Sequence, residues 1–141
     1  LRDIFCSLNS GWNRFTPGSR LTLHLFNGFF DNFKNEAIDP KADIFFHDPF
    51  SPDANPELWT KEVFERLLAV AAEDALLATY CAASSARAAM AAAGWHVARA
   101  PGALGKREMT IASPDAQRLS QFKRVNEERL RKRYKAGDFK R

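Results

Sequence analysis

The chain has 141 residues, a formal net charge of +4 and 45% hydrophobic residues. This length is the size of one domain. Because the apolar runs fall well short of the roughly 20 residues that cross a bilayer, we expect a soluble, cytoplasmic protein and not a membrane protein. The two cysteines, Cys6 and Cys81, and the three histidines lack metal or redox spacing, which argues against a zinc site and fits a reducing compartment.

The positive charge is concentrated in the carboxyl-terminal tail. Residues 117–141 contain ten Lys and Arg against three Asp and Glu, a net charge of +7, so the first 116 residues carry a net charge of −3. A basic element on a mildly acidic domain suits a polyanionic partner, and nucleic acid is the commonest. The alternative is that these cations form an ordinary solvated helix surface.

The first forty residues predict one strand and one short helix. Leu1 to Arg20 begins with a short helical pattern and continues as a loop marked by glycine and proline. Residues 21–26, LTLHLF, alternate apolar and polar side chains as a half-covered strand does, and Asn27-Gly28 ends that strand. A helix is expected to follow as far as Ala37, with three aromatic residues on its core-facing side. They are Phe29, Phe30 and Phe33.

The stretch from Ala42 to Thr60 is the one around which the rest of the chain is organised. Its apolar residues 44–46 run directly into His47 and Asp48, as at the end of a strand buried on both faces. Ligands of open α/β sheets gather outside the carboxyl ends of the strands, so we expect Asp48 to face a substrate. Asn55-Pro56 then predicts the start of a helix.

Asp48 and Phe50 together suit a reaction at an amine. An amine attacks a methyl donor through its unprotonated lone pair, and a carboxylate that accepts a hydrogen bond from its N–H orients it. An aromatic ring within about 6 Å stabilises the developing ammonium by roughly 1 to 2 kcal/mol. The alternative is that Asp48 only caps a turn at the end of its strand.

A helix, a strand and a second helix follow. Apolar residues at helical spacing predict a helix over Pro56 to Ala72. The stretch ALLATYC predicts a strand whose carboxyl end carries Tyr80, a second candidate for the substrate pocket. Ser84 or Ser85 is expected to cap an alanine-rich helix, which ends at Gly94.

The next segment predicts an antiparallel hairpin. Trp95 to Arg99 and Glu108 to Ala112 are its two strands, joined by a turn with glycine and proline. Lys106, Arg107 and Glu108 close that turn. Two cations beside a flexible glycine either are solvated or hold a phosphate.

A basic helix is predicted from Ala116 to Ala136. Ser113-Pro114-Asp115 is a helix start and Gly137 is a helix stop. One side of this helix is apolar and the other carries most of the Lys and Arg residues of the tail. We therefore expect it to pack on the domain and to present cations to RNA phosphates.

Four motifs resemble, in their order and spacing, those of one enzyme family. They are DIFFHDPFSPDANPELWT, LLATYCAASSARAAM, AAGWHV and PGALGKREM, and the match in order and spacing covers roughly residues 20 to 112. The combination of NPELWT with KREM is specific, and it resembles the methyltransferase of the tRNA wobble-uridine pathway, the MnmD or MnmC methyltransferase domain that completes 5-methylaminomethyl-2-thiouridine. The resemblance implies S-adenosylmethionine as the methyl donor and an aminomethyl-uridine in tRNA as the acceptor. It also implies an α/β fold, a Rossmann-like S-adenosylmethionine methyltransferase sheet that ends in an antiparallel hairpin, here with an added basic C-terminal helix.

The resemblance implies roles for particular residues. Asp48 matches the family's acidic residue at the reacting amine, and Asp48, Pro49 and Gly28 would border the methyl donor. The residues that would contact the substrate are Phe50, Tyr80, Lys106, Arg107 and Glu108. The two cations among them would meet the anticodon backbone.

The chain departs from the family pattern at the donor site. Its seven glycines form no Gly-x-Gly-x-x-Gly run, Phe29 stands where the family has an acidic residue, and Ser84 replaces a glycine. We therefore expect residues 1–112 to be the carboxyl-terminal half of a methyltransferase domain without its glycine-rich cofactor loop, and residues 113–141 to be a basic helical tail. The alternative is a catalytically inactive methyltransferase-like module that binds RNA or an assembly. A half-sheet would expose an apolar edge, which a partner chain or a dimer would cover.

Overall fold

The computed structural model describes residues 7–33, 41–102 and 108–139. The chain divides into two compact units, Leu1–Ala37 and Ile38–Arg141. Within the described ranges, no helix has the length and apolar character that a membrane crossing requires. The same ranges contain no group of three or more His, Cys, Asp or Glu side chains placed to hold a metal ion.

A β-hairpin forms most of the described part of the first unit. β1 (Gly11–Gly18) pairs antiparallel with β2 (Leu21–Asn27), and Gly11 lies opposite Asn27. The strand predicted at residues 21–26 is confirmed. The loop predicted before it is wrong over residues 11–18, because pairing with β2 holds that segment extended despite its proline and glycines.

Aromatic rings pack together in the first unit. The rings of Trp12 on β1 and Phe26 on β2 have centroids 5.4 Å apart, and both contact the ring of Phe33, at 5.3 and 5.6 Å. The helix predicted to follow is only a 3₁₀ turn, Phe30–Asn32, and residues 34–37 lie outside the described residues. Phe29 is exposed, so its prediction as a core residue is wrong.

The second unit contains a five-stranded mixed sheet. Its strands, in spatial order, are β3 (Ala42–Phe46), β4 (Ala71–Thr79), β6 (Met109–Ser113), β5 (His96–Ala100) and β7 (Lys123–Arg124). β3 and β4 are parallel, and every other neighbouring pair is antiparallel. The predicted hairpin, β5 with β6, is therefore confirmed. The α-helices of the described residues are α1 (Lys61–Ala69), α2 (Ser84–Ala92) and α3 (Glu127–Ala136).

β3 lies at an edge of this sheet. Among the described strands only β4 pairs with it, and the side chains of Ile44 and Phe46 are exposed, that of Phe46 by 83%. Phe45 faces the core, where its ring meets Trp95 edge-on with centroids 5.9 Å apart. The prediction of a strand buried on both faces is wrong, since Ile44 and Phe46 share one face of β3 and are exposed, while only the opposite face, with Phe45, packs on the core. The expected exposed apolar edge is present.

Local capping shifts the predicted starts of α1 and α2. Pro56–Trp59 is a 3₁₀ turn, and α1 begins at Lys61 because Thr60 Oγ1 accepts a hydrogen bond from Val63 N. The N-cap of α2 is Ala83, with no side-chain cap, so the predicted serine caps are wrong. Gly94 at φ 103° ends that helix as predicted, in a left-handed conformation that glycine adopts without strain.

The alanines of α2 let it lie deep in the second unit. Ala86, Ala88, Ala89 and Ala91 are fully buried, and the helix packs on both β5 and α3. Small side chains permit this close approach, so the alanine-rich stretch is structural. Larger core side chains fill the space around it. The fully buried ones include Trp95, Phe64, Leu77 and Met90.

The predicted long basic helix is interrupted. Ala116–Leu119 is a 3₁₀ turn, and Lys123 and Arg124 form β7 by pairing with Arg99 and Ala98 of β5. Asn126 Oδ1 then caps α3 by accepting from Arg129 N, and Gly137 at φ 80° ends it as predicted. Because α3 packs on α2, the tail is part of the second unit's packing; the division of the chain at residue 112 stays a prediction.

Candidate functional site

Asp48 and Tyr80 follow two parallel strands that end at one edge of the sheet. Phe46 of β3 lies opposite Ala78 of β4, and His47 N donates a hydrogen bond to Ala78 O at 3.0 Å. Continuing this register by two residues places Asp48 level with Tyr80. Two of the residues predicted from sequence are thus brought to the same edge, where the ligands of α/β sheets bind.

The Asp48 side chain is exposed at this edge. Among the described residues no ion pair holds its carboxylate. The Phe50 ring is 78% exposed and Tyr80 is also exposed. An acceptor oxygen and aromatic faces are therefore available to a ligand, and the alternative that Asp48 caps a turn finds no hydrogen bond in the described residues to support it.

Two side chains hold the backbone on either side of Asp48. The Nε2–H of His47 donates to Leu58 O at 3.1 Å, and the Nε1–H of Trp59 donates to Phe50 O at 2.8 Å. The two rings also meet edge-on, with centroids 4.8 Å apart. Trp59 is buried, so it packs against the preceding loop and fixes the segment that presents Asp48 and Phe50.

Acidification is expected to weaken the fold through His47. Burial lowers the pKa of its imidazole below the usual 6.5, although the hydrogen bond to Leu58 and the charge of Asp48 oppose the shift. The unfolded chain therefore takes up a proton on His47 at a higher pH than the folded chain does. The stability that the neutral, buried imidazole contributes is complete above the unfolded pKa, and it is lost as the pH falls from there through the lowered folded pKa.

Denaturant titrations at about pH 7.5 and about pH 5.5 measure this effect. The free energy of unfolding should fall further between these two pH values in the unsubstituted chain than in the His47→Gln variant. An equal or larger fall in the variant would contradict the role of His47.

A buried arginine, which the sequence did not single out, organises the other side of this edge. Arg87 on α2 is only 3% exposed. Its Nε donates to Thr110 Oγ1 at 2.9 Å and its Nη1 to Glu108 Oε1 at 3.2 Å, while the Thr110 hydroxyl donates to Cys81 O at 2.6 Å. Glu108 is thus held by a structural ion pair, next to the segment that follows β4.

The roles of the other predicted site residues stay predictions. Lys106 and Arg107 lie outside the described residues, so their roles stay predictions. Gly28 belongs to the first unit, where a Cβ at its position would meet the Phe26 ring at 3.1 Å; this contact gives the residue a packing reason to be glycine. Pro49 adjoins Asp48 and is half-buried.

A cleft in the second unit does not contain Asp48. It has a volume of about 690 Å³ and runs from the 3₁₀ turn at Pro56 to the end of α3, with Trp59, Thr60 and Tyr134 among its lining residues. Phe50 and Tyr80 do not line it either. This cleft is therefore separate from the exposed side chains of Asp48, Phe50 and Tyr80.

One protein family and several known proteins are similar to this chain. The model of a family described as S-adenosyl-L-methionine-dependent methyltransferase matches residues 5–115. The tRNA 5-methylaminomethyl-2-thiouridine biosynthesis bifunctional protein MnmC of Azoarcus sp. (strain BH72) is 38% identical over 114 residues, which are 75% of this chain and 18% of that protein. The protein of the same name from Cupriavidus metallidurans is 48% identical over 81 residues, 55% of this chain and 12% of that protein.

A solved structure has the same fold. MNMC2 from Aquifex aeolicus superimposes with a TM-score of 0.68 at 26% identity, over 94% of this chain and 40% of that one. The predicted Rossmann-like methyltransferase sheet is thereby confirmed. The chain spans less than a fifth of the length of the curated relatives named above. By its family match, the chain belongs to the S-adenosyl-L-methionine-dependent methyltransferases and is related to the MnmC tRNA-modification proteins.

Proposed function

We propose that this chain supplies the amine-facing side of a methyltransferase that acts on an aminomethyl group of the wobble uridine in tRNA. The observation that carries the proposal is the exposed Asp48 carboxylate at the shared carboxyl edge of β3 and β4, without an ion pair among the described residues. The names of the relatives, which refer to tRNA 5-methylaminomethyl-2-thiouridine biosynthesis, support this choice of substrate.

In this proposal Asp48 positions the nucleophile. Its carboxylate accepts a hydrogen bond from the amine N–H, so the nitrogen lone pair points away from Asp48 towards the methyl carbon. As the nitrogen–carbon bond forms and the carbon–sulfur bond breaks, positive charge grows on nitrogen. The carboxylate and the exposed Phe50 ring stabilise that charge, and the amine proton then passes to Asp48 or to solvent.

S-adenosylmethionine would supply the methyl group as a sulfonium cation. The residues present fit the reactive end of such a donor, since a carboxylate and exposed aromatic rings both attract cations. We assign that end to the Asp48 and Pro49 segment. Gly28 remains a candidate for the donor's other end on the resemblance alone.

Methyl transfer to defined RNA tests this function. The complete protein encoded by the gene is incubated with methyl-labelled S-adenosylmethionine and a tRNA that carries the aminomethyl group, with the unmodified tRNA as the matched control. Label should enter the first tRNA only, at the amine nitrogen. Label in both tRNAs, or on a carbon atom, would refute the proposed acceptor.

A second candidate function is an RNA-binding or assembly module without catalysis. It is favoured by the cationic α3 and by the open apolar edge at Ile44 and Phe46, which a partner chain or a second copy would cover. The assay above separates the two candidates: the module would bind the tRNA and transfer no methyl group.

A further inference from the structure

Four arginines line a small pocket between α2, β5 and α3. The pocket has a volume of about 250 Å³, and Ser84 and Asn126 also line it. The arginines come from three elements that are far apart in sequence, so the fold and not local sequence brings them together. They are Arg87, Arg99, Arg129 and Arg133, and we refer to this site as the arginine pocket.

One side-chain nitrogen of Arg87 has no hydrogen-bond partner among the residues that the structure describes. The side chain is 3% exposed, and although its Nε and Nη1 are hydrogen-bonded, its buried Nη2 finds no acceptor among the described residues. An unpaired donor on a buried charged group is costly. A guanidinium in this condition, in the wall of a pocket, indicates that an acceptor is supplied from outside.

The arginine pocket keeps an excess of positive charge. Glu108 accepts from Arg87 at 3.2 Å and lies 3.5 Å from Arg99, and Asp138 pairs with Arg133 at 2.9 Å. Two carboxylates thus face four guanidinium groups. Arg129 is exposed, and its side chain has no ion pair among the described residues.

We infer that the arginine pocket binds a backbone phosphate of RNA. Guanidinium groups bind phosphate oxygens in pairs, with charge-assisted hydrogen bonds, and a phosphate carries the negative charge that the pocket lacks. RNA is favoured over a free anion because α3 carries a further exposed cation outside the pocket, Lys135, that a second phosphate of the same chain can meet. The inference rests on the proposed function, for which it supplies a contact that positions the substrate.

The pocket is connected to the candidate active site. Arg87 bonds Thr110, which bonds the carbonyl of Cys81, the residue after Tyr80. A phosphate held by Arg87 is therefore anchored to the segment that ends β4.

Paired variants on one helix test this inference. Arg129→Ala removes a cation that lines the pocket, and Lys132→Ala removes a cation of α3 that does not line it and pairs with Glu128 at 2.7 Å. Binding of a labelled single-stranded RNA of about 12 nucleotides is measured by fluorescence anisotropy between about 50 and 200 mM salt. We expect Arg129→Ala to weaken binding about tenfold and to reduce the slope of log affinity against log salt by about 0.7, and Lys132→Ala to change affinity less than about twofold.

Several results would overturn the inference that the arginine pocket binds an RNA phosphate. Equal losses in the two variants would show a diffuse cationic surface. Competition by pyrophosphate at the same charge concentration as RNA would show a small-anion site, and equal competition by polyglutamate would show a site for acidic proteins. The inference and the proposed function can fail separately, because the difference in RNA affinity between Arg129→Ala and Lys132→Ala decides the inference whether or not methyl transfer to the tRNA is found.

Discussion

Asn at position 48 should lower the rate constant of methyl transfer by about a hundredfold to a thousandfold in the complete protein. The Asp48→Asn substitution keeps the size of the side chain but removes its negative charge, so the amine is neither oriented nor stabilised as it becomes cationic. Affinity for the tRNA should change little, since Asp48 acts where charge develops. Single-turnover transfer of labelled methyl groups measures the rate constant.

A carboxylate on the same strand provides the control. Asp43 also lies on β3 and is exposed, so Asp43→Asn removes the same charge from the same strand, away from its carboxyl end. We expect this variant to keep close to full activity. Unchanged turnover in Asp48→Asn would remove the proposed mechanism, whatever the outcome for Asp43.

Loss of the Glu127 carboxylate should lower the free energy of unfolding by about 2 to 3 kcal/mol. The side chain is 11% exposed and joins the start of α3 to β5. Its Oε1 accepts from Val97 N at 3.0 Å and pairs with Arg124, while Oε2 lies 3.2 Å from both His96 Nδ1 and Arg131 Nη2. The Glu127→Ala variant leaves the Val97 amide without this acceptor.

The neighbouring glutamate is the matched control for this prediction. Glu128 pairs with Lys132 at 2.7 Å, and both side chains are largely exposed, so Glu128→Ala should change stability by less than about 1 kcal/mol. Urea denaturation of both variants measures the difference. A loss in Glu127→Ala no larger than in Glu128→Ala would show that the network around Glu127 adds no stability.

The contribution of Glu127 should also depend on pH. Burial, the largest single influence, raises the pKa of its carboxyl group, but the hydrogen bonds from Val97, Arg124 and His96 together outweigh it, so the pKa is lowered from the usual 4.5. The stability that the ionised Glu127 carboxylate contributes is present above the unfolded pKa, and it is lost as the pH falls through the lowered pKa of the folded state.

The strand ends that carry the candidate site could be predicted from the sequence because their signals are local. An apolar run that stops at a charged residue marks the end of β3, and the hydroxyl-bearing end of ALLATYC marks the end of β4. Parallel pairing then brings Asp48 and Tyr80 to one edge. The burial of β3 could not be predicted in this way. An apolar run of this length fits an edge strand as well as a central strand, and the sequence of the run does not show what packs against it.

Long-range pairing explains why the predicted basic helix is interrupted. Residues 123–124 have a helical pattern around them, but hydrogen bonds to β5 draw them into the sheet, and periodicity contains no information about that partner. The start of α3 did have a local signal: Asn126 followed by two glutamates is a capping residue with an acidic first turn. The role of Arg87 could not be predicted, because an arginine in an alanine-rich helix is normally solvent-exposed. Only the fold shows that it is buried against Thr110.

The short strand β7 has a consequence for self-association. The sheet is closed on that side by a two-residue strand with exposed Lys123 and Arg124, followed at once by a helix, a combination that discourages further strand addition. Among the described strands of this five-stranded sheet, β3 is therefore the edge at which a further strand can pair. Two copies that paired through β3 would form main-chain hydrogen bonds with each other, and this sheet would then have no open edge for a third copy. Such contacts would give closed pairs and not fibres.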